Sequence, residues 1–248
     1  MISAVIITKN ESHIIGKTLQ SLQGLTDDIV IVDSGSTDDT VAICKKFNAR
    51  VIEPGWNGYG ANKNIGIDAA KHDWILNLDA DEALDDELKR SLLQLNPSQD
   101  NLVFSIRFKN FFCNKLISYG EWGHDRHIRL FNRNKVRWNN EGVHETLALP
   151  DDAKHILLKG NILHYTVTDR EDYNRKADHY ARLSAEKYFA NGKSISMASY
   201  LSPTFSFLRN YFLRLGFLDG KEGFIIARST ARYTFLKYKY LKQLKNTK

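Results

Sequence analysis

Short apolar segments alternate with helical patterns over the first third of the chain, and this alternation limits the possible folds more than any other feature. Residues 4–7, 29–32, 50–52 and 74–78 have the length and composition of buried strands. A helical pattern follows each of the first three. Strands separated by single helices pair in parallel, with right-handed crossovers and helices on both faces. The sequence therefore predicts an α/β fold with a mostly parallel central sheet.

After Pro97 the pattern changes to longer and more aromatic β segments at residues 102–112, 127–131 and 156–164. Residues 171–189 have the amphipathic pattern of a long helix. From residue 199 onward the composition is helical, aromatic and basic. We therefore expect one domain over residues 1–198 and a C-terminal helical extension over residues 199–248.

Composition narrows the class of protein. Cys44 and Cys113 lie far apart, which argues against a disulfide framework, a C-x-x-C redox pair and a cysteine zinc site. Residues 1–7 lack the basic flank of a signal peptide, and no apolar stretch approaches the ~18 residues that a membrane span needs. We therefore expect a cytoplasmic protein. The formal net charge of +6 leaves an anionic partner open.

Polar residues follow three of the predicted strands at the point where each strand ends. They occupy residues 8–11 (T-K-N-E), 33–38 (D-S-G-S-T-D) and 79–82 (D-A-D-E). Ligands of a parallel α/β sheet bind beyond the carboxyl ends of its strands. We therefore expect the three sets to converge on one crevice.

The third set contains two carboxylates, Asp79 and Asp81. At a strand end both can reach one hard cation, one directly and one through water or a sugar hydroxyl. Such a cation would neutralise a diphosphate leaving group. The alternative is that residues 79–82 begin a helix over residues 84–95, because acidic residues are favoured in a first turn. The position of the pair directly after an apolar strand favours the cation site.

The second set begins with Asp33 and continues through a turn of small residues. The chain contains neither G-x-G-x-x-G nor G-x-x-x-x-G-K-[ST], so dinucleotide-binding and P-loop functions have no support. Asp33 can accept hydrogen bonds from a ribose or a base edge. The alternative is a turn aspartate, with Ser36 capping the helix that follows.

Four segments, in this order and spacing, resemble the family 2 glycosyltransferases, which have a GT-A fold: A-V-I-I-T-K-N-E-S, I-V-I-V-D-S-G-S-T-D-D-T, G-A-N-K-N-I-G-I-D-A-A and W-I-L-N-L-D-A-D-E. Four later segments are similar to the bacterial subgroup that adds glucose to the inner core of lipopolysaccharide: R-L-F-N-R, N-E-G-V-H-E, I-L-H-Y-T and G-F-L-D-G-K-E-G-F. The resemblance covers nearly the whole chain. It implies a Rossmann-like GT-A domain and a nucleotide-sugar donor.

The resemblance also implies residues for the nucleotide. Thr8 and Asp33 match the positions that bind the uridine, and Asn10 and Glu11 belong to the same site. Lys63 and Asn64 lie on the helix that approaches the nucleotide and its phosphates.

The remaining assignments concern the metal and the base. Asp79 and Asp81 match the D-x-D pair, Asp79 for sugar and ribose hydroxyls and Asp81 for a divalent cation, Mg²⁺ or Mn²⁺, which His164 also ligates. Glu145 matches the carboxylate that activates the acceptor. Many relatives carry E-D at this base position, where this chain has His144 and Glu145.

The residues themselves fit this chemistry. Transfer from a nucleotide sugar needs a base, a cation and a water-poor pocket, for which Glu145, a metal at Asp81 and the aromatic residues Trp122 and Trp138 are the candidates. A single carboxylate base predicts one in-line displacement and so inversion of the anomeric centre. The resemblance implies UDP-glucose as the donor and an inner-core heptose of a lipid-linked glycan as the acceptor.

The basic, aromatic tail allows two interpretations. It can lie on an anionic inner leaflet where a lipid-linked acceptor is held, or it can pack on the domain with its cations solvated. The first is favoured because an enzyme that modifies a lipid-anchored glycan gains by staying near the membrane. We therefore predict a peripheral location on the inner face of the cytoplasmic membrane.

Other functions remain open. Within the same enzyme class, the donor hexose or the glycan acceptor can differ. A pI of about 9.1 with interleaved aromatic residues also suggests nucleic-acid binding, but no nucleic-acid module is recognisable and acidic residues crowd the predicted cleft, so we expect no nucleic-acid partner. A sugar-nucleotide-binding protein without catalysis is the third alternative.

Overall fold

The computed structural model describes residues 1–139, 146–167 and 170–246, and of these the side chains of residues 170–172 are not described. The chain divides into two compact units. Unit 1 comprises Met1–Phe108 and Arg126–His164, and unit 2 comprises Lys109–Asp125 and Tyr165–Lys248. These bounds differ from the predicted division into residues 1–198 and 199–248. That division into domains stays a prediction.

The strands are, in chain order, β1 (Ile2–Thr8), β2 (Ile29–Asp33), β3 (Arg50–Ile52), β4 (Trp74–Asp79), β5 (Glu82–Leu84), β6 (Leu102–Phe112), β7 (Lys115–Ile117), β8 (Arg126–Asn132), β9 (Arg137–Trp138), β10 (Leu147–Ala148) and β11 (Lys154–Val167). The α-helices are α1 (Ile15–Leu22), α2 (Thr40–Lys46), α3 (Tyr59–Ala69), α4 (Asp86–Leu93), α5 (Arg170–Ala190), α6 (Met197–Leu208) and α7 (Gly220–Asn246). Each predicted strand and helix has a counterpart among them.

The first four strands form the predicted parallel, Rossmann-like part of the sheet. Their order is β3-β2-β1-β4, and each neighbouring pair is parallel. In this register Thr8 lies opposite Asp33, and Ile7 lies opposite Asp79. The ends of β1, β2 and β4 therefore lie side by side, as the positions of the polar sets predicted.

Alternate residues of these strands enter two apolar cores, because successive side chains of a strand point to opposite faces. Ile6 belongs to one core together with Leu19 of α1. Val5 belongs to the other together with Ile67 of α3. Helix α3 lies close against its face, since a Cβ atom on Gly66 would come within 2.5 Å of a Val5 methyl carbon. The buried faces thus fix where α3 presents its polar residues.

Beyond β4 the sheet continues in the order β8-β6-β11-β5. The pairs β4-β8, β6-β8 and β5-β11 are antiparallel. Phe104 pairs with Leu130 whereas Ser105 pairs with Ile128, so Arg129 is an additional residue in β8. Such β-bulges redirect a side chain and are frequent beside active sites. The antiparallel half therefore places Arg129 out of the ordinary alternation.

The predicted cap of α2 is wrong. Ser36 Oγ accepts the N–H of Asn10 and its hydroxyl donates to the carboxylate of Asp33, so the side chain bonds these two residues and not the helix. Helix α2 begins at Thr40, whose N–H donates to Asp38 at 3.1 Å. The turn after β2 is held by the carboxylate of Asp33, because a carboxylate accepts several N–H groups better than a hydroxyl does.

The alternative in which residues 79–82 begin a helix is also wrong. Asp79 ends β4, and Glu82 begins the short strand β5. Helix α4 begins at Asp86, and the carboxylate of Asp85 caps it by accepting the N–H of Leu88 at 2.8 Å. The capping aspartate is therefore a different residue from the two in the D-A-D segment.

Unit 2 contains the remaining three α-helices, and its helical tail was predicted from composition. Helix α5 packs against α7, where the Ser184 and Tyr233 hydroxyl oxygens are 2.7 Å apart. The Tyr240 hydroxyl donates to Asp178 at 2.8 Å. Trp122, one of the predicted pocket aromatics, packs inside this unit against Phe112.

Within the described residues, no helix combines the length and apolarity that crossing a membrane requires.

Candidate active site

The carboxyl ends of β1 and β2 hold two of the predicted nucleotide-binding residues. Thr8 is only 5% exposed, and its hydroxyl has no hydrogen-bond partner among the described residues. Asp33 is 1% exposed and accepts the N–H groups of Gly35 and Ser36 at 2.9 and 2.7 Å. A buried hydroxyl without a partner costs free energy unless a ligand or water satisfies it. Thr8 thus has hydrogen-bonding capacity to offer a ligand at this edge.

Asn10 and Glu11 shape the loop after β1. The Asn10 side-chain oxygen accepts the N–H of Thr37 at 2.8 Å, and its own N–H donates to Ser36. The Glu11 main-chain oxygen accepts the N–H groups that open α1, and its N–H donates to Thr40. Both residues connect the loops after β1 and β2. These residues therefore hold the two loops together. Their contact with the nucleotide stays a prediction.

Helix α3 places Lys63 and Asn64 toward β9. Lys63 is 4% exposed, and its Nζ lies 3.4 Å from Asp79 Oδ1 and 4.3 Å from the ring centroid of Trp138. Asn64 bonds the main chain of Trp138 in both directions, at 2.9 and 3.1 Å. Lys63 is therefore a buried cation at the strand end, whereas the Asn64 amide fastens α3 to β9.

The sequence did not predict that Asp79 belongs to a buried ionic cluster. The other members of this cluster are Lys63, Glu82 and Arg129. Arg129 donates to Glu82 through Nε at 3.0 Å and through a terminal nitrogen at 2.5 Å, and it reaches Asp79 at 3.3 Å. Glu82 is fully buried, and its Oε2 accepts the N–H of Asp79 at 3.2 Å. Charged side chains are rarely buried unless they are paired. For Arg129, a charge within an apolar strand segment was the signal that could have revealed it, whereas Glu82 directly follows the D-A-D segment.

The cluster controls the ionisation of its members. Burial by itself would raise the pKa of Asp79, but the charges of Lys63 and Arg129 outweigh it and hold this pKa well below its usual range. Burial would lower the pKa of Arg129, but Glu82 and Asp79 raise it above its usual value. Asp79 is therefore a permanent carboxylate that two cations already neutralise, which leaves little charge for a metal.

Asp81 and His164 lie together on the exposed side of this cluster. Their Oδ2 and Nε2 atoms are 3.4 Å apart, and both side chains are partly exposed. The pairing of β11 with β5 brings them together, because it places His164 opposite Glu82. Burial would lower the pKa of His164, but its contact with Asp81 and the neighbouring carboxylates raise it above the usual value. The predicted metal ligands are thus adjacent.

The donor atoms of this pair fit a divalent cation that is completed by the substrate. A carboxylate oxygen and an imidazole nitrogen are both metal donors, and a diphosphate can supply further oxygens. Within residues 1–139, 146–167 and 170–246, no group of three or more His, Cys, Asp or Glu side chains could hold a metal by itself.

A cavity of about 760 Å³ opens beside these residues in unit 1. Lys63, Asp79 and Arg129 line it from the side of the ionic cluster, and Trp138 forms part of its wall. The Trp138 indole N–H donates to Asn77 at 2.8 Å, which fixes the ring. The volume is typical of a small-molecule site. The predicted catalytic residue Glu145 lies outside the described residues, but its neighbour Thr146 lines this cavity.

Comparison with known proteins identifies the family. Residues 3–149 match the family model described as glycosyl transferase family 2. The chain belongs to this family. The predicted enzyme class and the GT-A type of α/β fold are therefore confirmed. A glycosyltransferase is also favoured over the nucleic-acid-binding alternative that the charge had suggested.

Two curated relatives extend over most of the chain. The lipopolysaccharide core biosynthesis glycosyltransferase LpsC of Rhizobium meliloti is 32% identical, and the match covers 95% of this chain and 89% of LpsC. An uncharacterized glycosyltransferase of Rickettsia typhi is 31% identical over 98% of this chain and 87% of its own length. This glycosyltransferase thus has a relative named for lipopolysaccharide core biosynthesis.

Two solved structures also match the chain, at lower sequence identity. Residues 1–349 of Staphylococcus aureus TarS, in complex with UDP, match with a TM-score of 0.45 and 14% identity, covering 98% of this chain and 91% of that chain. Glucosyl-3-phosphoglycerate synthase of Mycobacterium tuberculosis, in complex with Mn²⁺ and UDP-glucose, matches with a TM-score of 0.34 and 25% identity, covering 45% and 43%.

Proposed function

We propose that this glycosyltransferase transfers a hexose, glucose from UDP-glucose, to an inner-core heptose of lipopolysaccharide with inversion of the anomeric centre. The observation that carries the proposal is the Asp81–His164 pair next to Asp79, which lines a ligand-sized cavity, in a chain of family 2. The relative LpsC, named for lipopolysaccharide core biosynthesis, supports this class of acceptor.

On the donor side, Thr8 and Asp33 bind the uridine, with Asn10 and Glu11 holding the loop around it. The unsatisfied buried hydroxyl of Thr8 supports this assignment. Lys63 and Asn64 lie nearer the phosphates, and Asp79 binds hydroxyl groups of the ribose or the sugar. Asp79 suits a hydroxyl better than a metal because Lys63 and Arg129 already balance its charge.

The residues that would hold the divalent cation, Mg²⁺ or Mn²⁺, are Asp81 and His164. The cation would neutralise the departing diphosphate. Glu145 would take the proton of the acceptor hydroxyl. A single base on the acceptor side, without a second nucleophile, is the reason for proposing one displacement and inversion.

Asp81→Asn is expected to weaken metal-dependent UDP binding by about 10- to 100-fold, because the amide oxygen lacks the charge of the carboxylate. The measurement is calorimetric titration with UDP at several Mn²⁺ and Mg²⁺ concentrations. Asp86→Asn removes an exposed carboxylate of the same unit and serves as the matched control. Unchanged metal dependence in Asp81→Asn would remove Asp81 from the metal site.

A panel of nucleotide sugars tests the donor in the same preparation. UDP-glucose should be hydrolysed slowly in the presence of Mn²⁺ or Mg²⁺, and faster than UDP-galactose, UDP-N-acetylglucosamine and GDP-mannose. Preference for another donor would replace glucose while leaving the enzyme class intact. Binding of UDP-glucose without any turnover, even with heptoside acceptors, would instead favour the non-catalytic alternative.

For the location of the enzyme, we propose peripheral binding to the inner face of the cytoplasmic membrane through a surface of unit 2. This surface carries exposed apolar side chains of α6 and the turns after it: Tyr200, Leu201, Phe205, Leu208, Phe212, Leu213, Phe217 and Leu218. Arg209, Arg214 and Lys221 are interspersed among them. Apolar residues with basic neighbours are typical of segments that lie in an anionic interface. A lipid-linked acceptor would then be reached from the surface where it is anchored.

The double variant Arg209→Gln/Arg214→Gln is expected to bind anionic vesicles about 30-fold more weakly, because each cation near the surface contributes about 1 kcal/mol. The measurement is co-sedimentation with phosphatidylglycerol vesicles at low and high salt. Lys242→Gln/Lys245→Gln removes the same charge near the end of α7 and should change binding less. If the unaltered protein ignores anionic vesicles even at low salt, the tail is a packing element.

A further inference from the structure

The described lining of the cavity of unit 1 contains more basic than acidic side chains. Its described lining includes the cationic or titratable side chains Lys63, Arg126, His127, Arg129 and His155, but only one carboxylate, Asp79. Sugar hydroxyls alone would be bound by neutral or acidic side chains as readily as by basic ones. The excess of basic groups therefore indicates that the ligand carries an anionic group.

The basic groups at the bottom of the cavity are already neutralised. Lys63 contacts Asp79, and Arg129 contacts both Asp79 and Glu82, so two cations face two carboxylates there. Arg126, by contrast, is exposed and forms no ion pair with any residue in the described ranges of the chain. It begins β8, three residues before the bulge at Arg129. As far as residues 1–139, 146–167 and 170–246 show, the cavity charge without an ionic partner is thus that of Arg126 on β8.

The neighbours of Arg126 favour an anion in the same place. In the β6-β8 register Arg126 lies directly opposite Arg107, and like charges in opposite positions destabilise a strand pair. His127 follows Arg126, lines the cavity and has its ring against Phe108 at 5.0 Å. An anionic ligand would relieve this repulsion. A guanidinium is also the side chain whose paired donors match a phosphate or a carboxylate.

We infer that this cavity receives the acceptor and that Arg126 binds an anionic substituent, a phosphate or carboxylate, on the acceptor glycan. The inference rests on the proposed function for the identity of the glycan, but the anion site itself does not. Apolar side chains that also line the cavity, among them Leu147, Ile156 and Leu157, would face the less polar part of the acceptor. Arg126 is then a specificity-determining residue for the acceptor, separate from the donor site.

The first test needs no glycosyl transfer. Methyl phosphate is titrated into the full-length protein while tryptophan fluorescence is followed, since Trp138 lines the cavity. Arg126→Ala is expected to weaken binding by about 10- to 100-fold, as for loss of hydrogen bonds to a charged group, and Arg126→Lys by less. Arg90→Ala, which removes an exposed arginine of α4, should leave binding unchanged. Equal affinity in Arg126→Ala and the unaltered protein overturns the inference.

The second test separates the acceptor from the donor. With UDP-glucose, the KM is measured for a methyl heptoside, its phosphate ester and its carboxymethyl ether. The anionic acceptors should have the lower KM, and Arg126→Ala should remove that advantage without changing the Kd of UDP. The better of the two anions identifies the source of the charge. A loss of UDP affinity equal to the loss in KM would assign Arg126 to the donor and overturn the inference.

The two tests also distinguish failure of the proposed function. Methyl phosphate binding that depends on Arg126, together with no transfer to any heptoside, would support the anion site and overturn heptose as the acceptor. Transfer to the neutral heptoside with the same KM as to its phosphate would overturn the anion site and leave the proposed function standing.

Discussion

Glu145→Gln is expected to lower the rate of hexose transfer to the acceptor by about 100- to 10,000-fold, the usual contribution of a positioned general base. Glutamine keeps the size of the side chain and can still accept a hydrogen bond, but it cannot take the acceptor proton. Donor affinity should stay near that of the unaltered enzyme, because the base acts on the acceptor side. The measurement combines single-turnover transfer with calorimetric titration of UDP.

The neighbouring residue provides the control. His144→Gln should reduce transfer less if His144 only orients Glu145 or the acceptor. This comparison matters because many relatives carry E-D where this chain has His144 and Glu145. An inactive His144→Gln beside an active Glu145→Gln would reverse the assignment and make the histidine the base.

Glu82→Gln is expected to reduce the free energy of unfolding by about 3–5 kcal/mol, the usual cost of removing one partner of a buried ion pair. Glu82 is fully buried and holds Arg129 through two hydrogen bonds. After the substitution, only the longer contact with Asp79 would compensate the guanidinium. Urea unfolding followed by circular dichroism measures the loss.

Two controls test whether the effect belongs to the pair. Glu87→Gln removes an exposed glutamate from α4 and should change stability by less than about 0.5 kcal/mol. Glu82→Leu combined with Arg129→Met replaces both charges with apolar groups and should recover much of the lost stability, although transfer would fail. A loss below about 1 kcal/mol in Glu82→Gln would mean that water or relaxation compensates Arg129.

The elements that sequence alone predicted share a physical property, which is that local periodicity specifies them. Residues 4–7 and 29–32 became parts of β1 and β2, and the pattern at residues 171–189 became most of α5. The position of Asp33 at a strand end followed directly, because the end of an apolar run is visible in the chain. The predicted cap at Ser36 was wrong because its hydroxyl bonds Asp33 and accepts the N–H of Asn10, a contact between two loops that no local pattern encodes.

The same distinction between local pattern and tertiary contact applies to the residues of the candidate site. Asp79 and Asp81 were predicted because they adjoin a strand, and His164 and Glu145 because their segments resemble a known family. That His164 lies 3.4 Å from Asp81 depends on the pairing of β11 with β5, which no local pattern encodes. The excess of basic side chains in the described part of the cavity lining was likewise not visible in the sequence, since these residues come from separate elements.

By itself, therefore, the sequence determined the alternating α/β framework, the edge of the sheet where the polar residues collect, and the family. The tertiary structure decided which ion pairs those polar residues form, and therefore what their pKa values are. Glu82 and Arg129 are 47 residues apart, and a β-bulge that changes the register of β8 brings the guanidinium to the carboxylates. The reason is physical: hydrophobic periodicity is a property of neighbouring residues, whereas burial, pairing and pKa depend on groups that meet only when the sheet has formed.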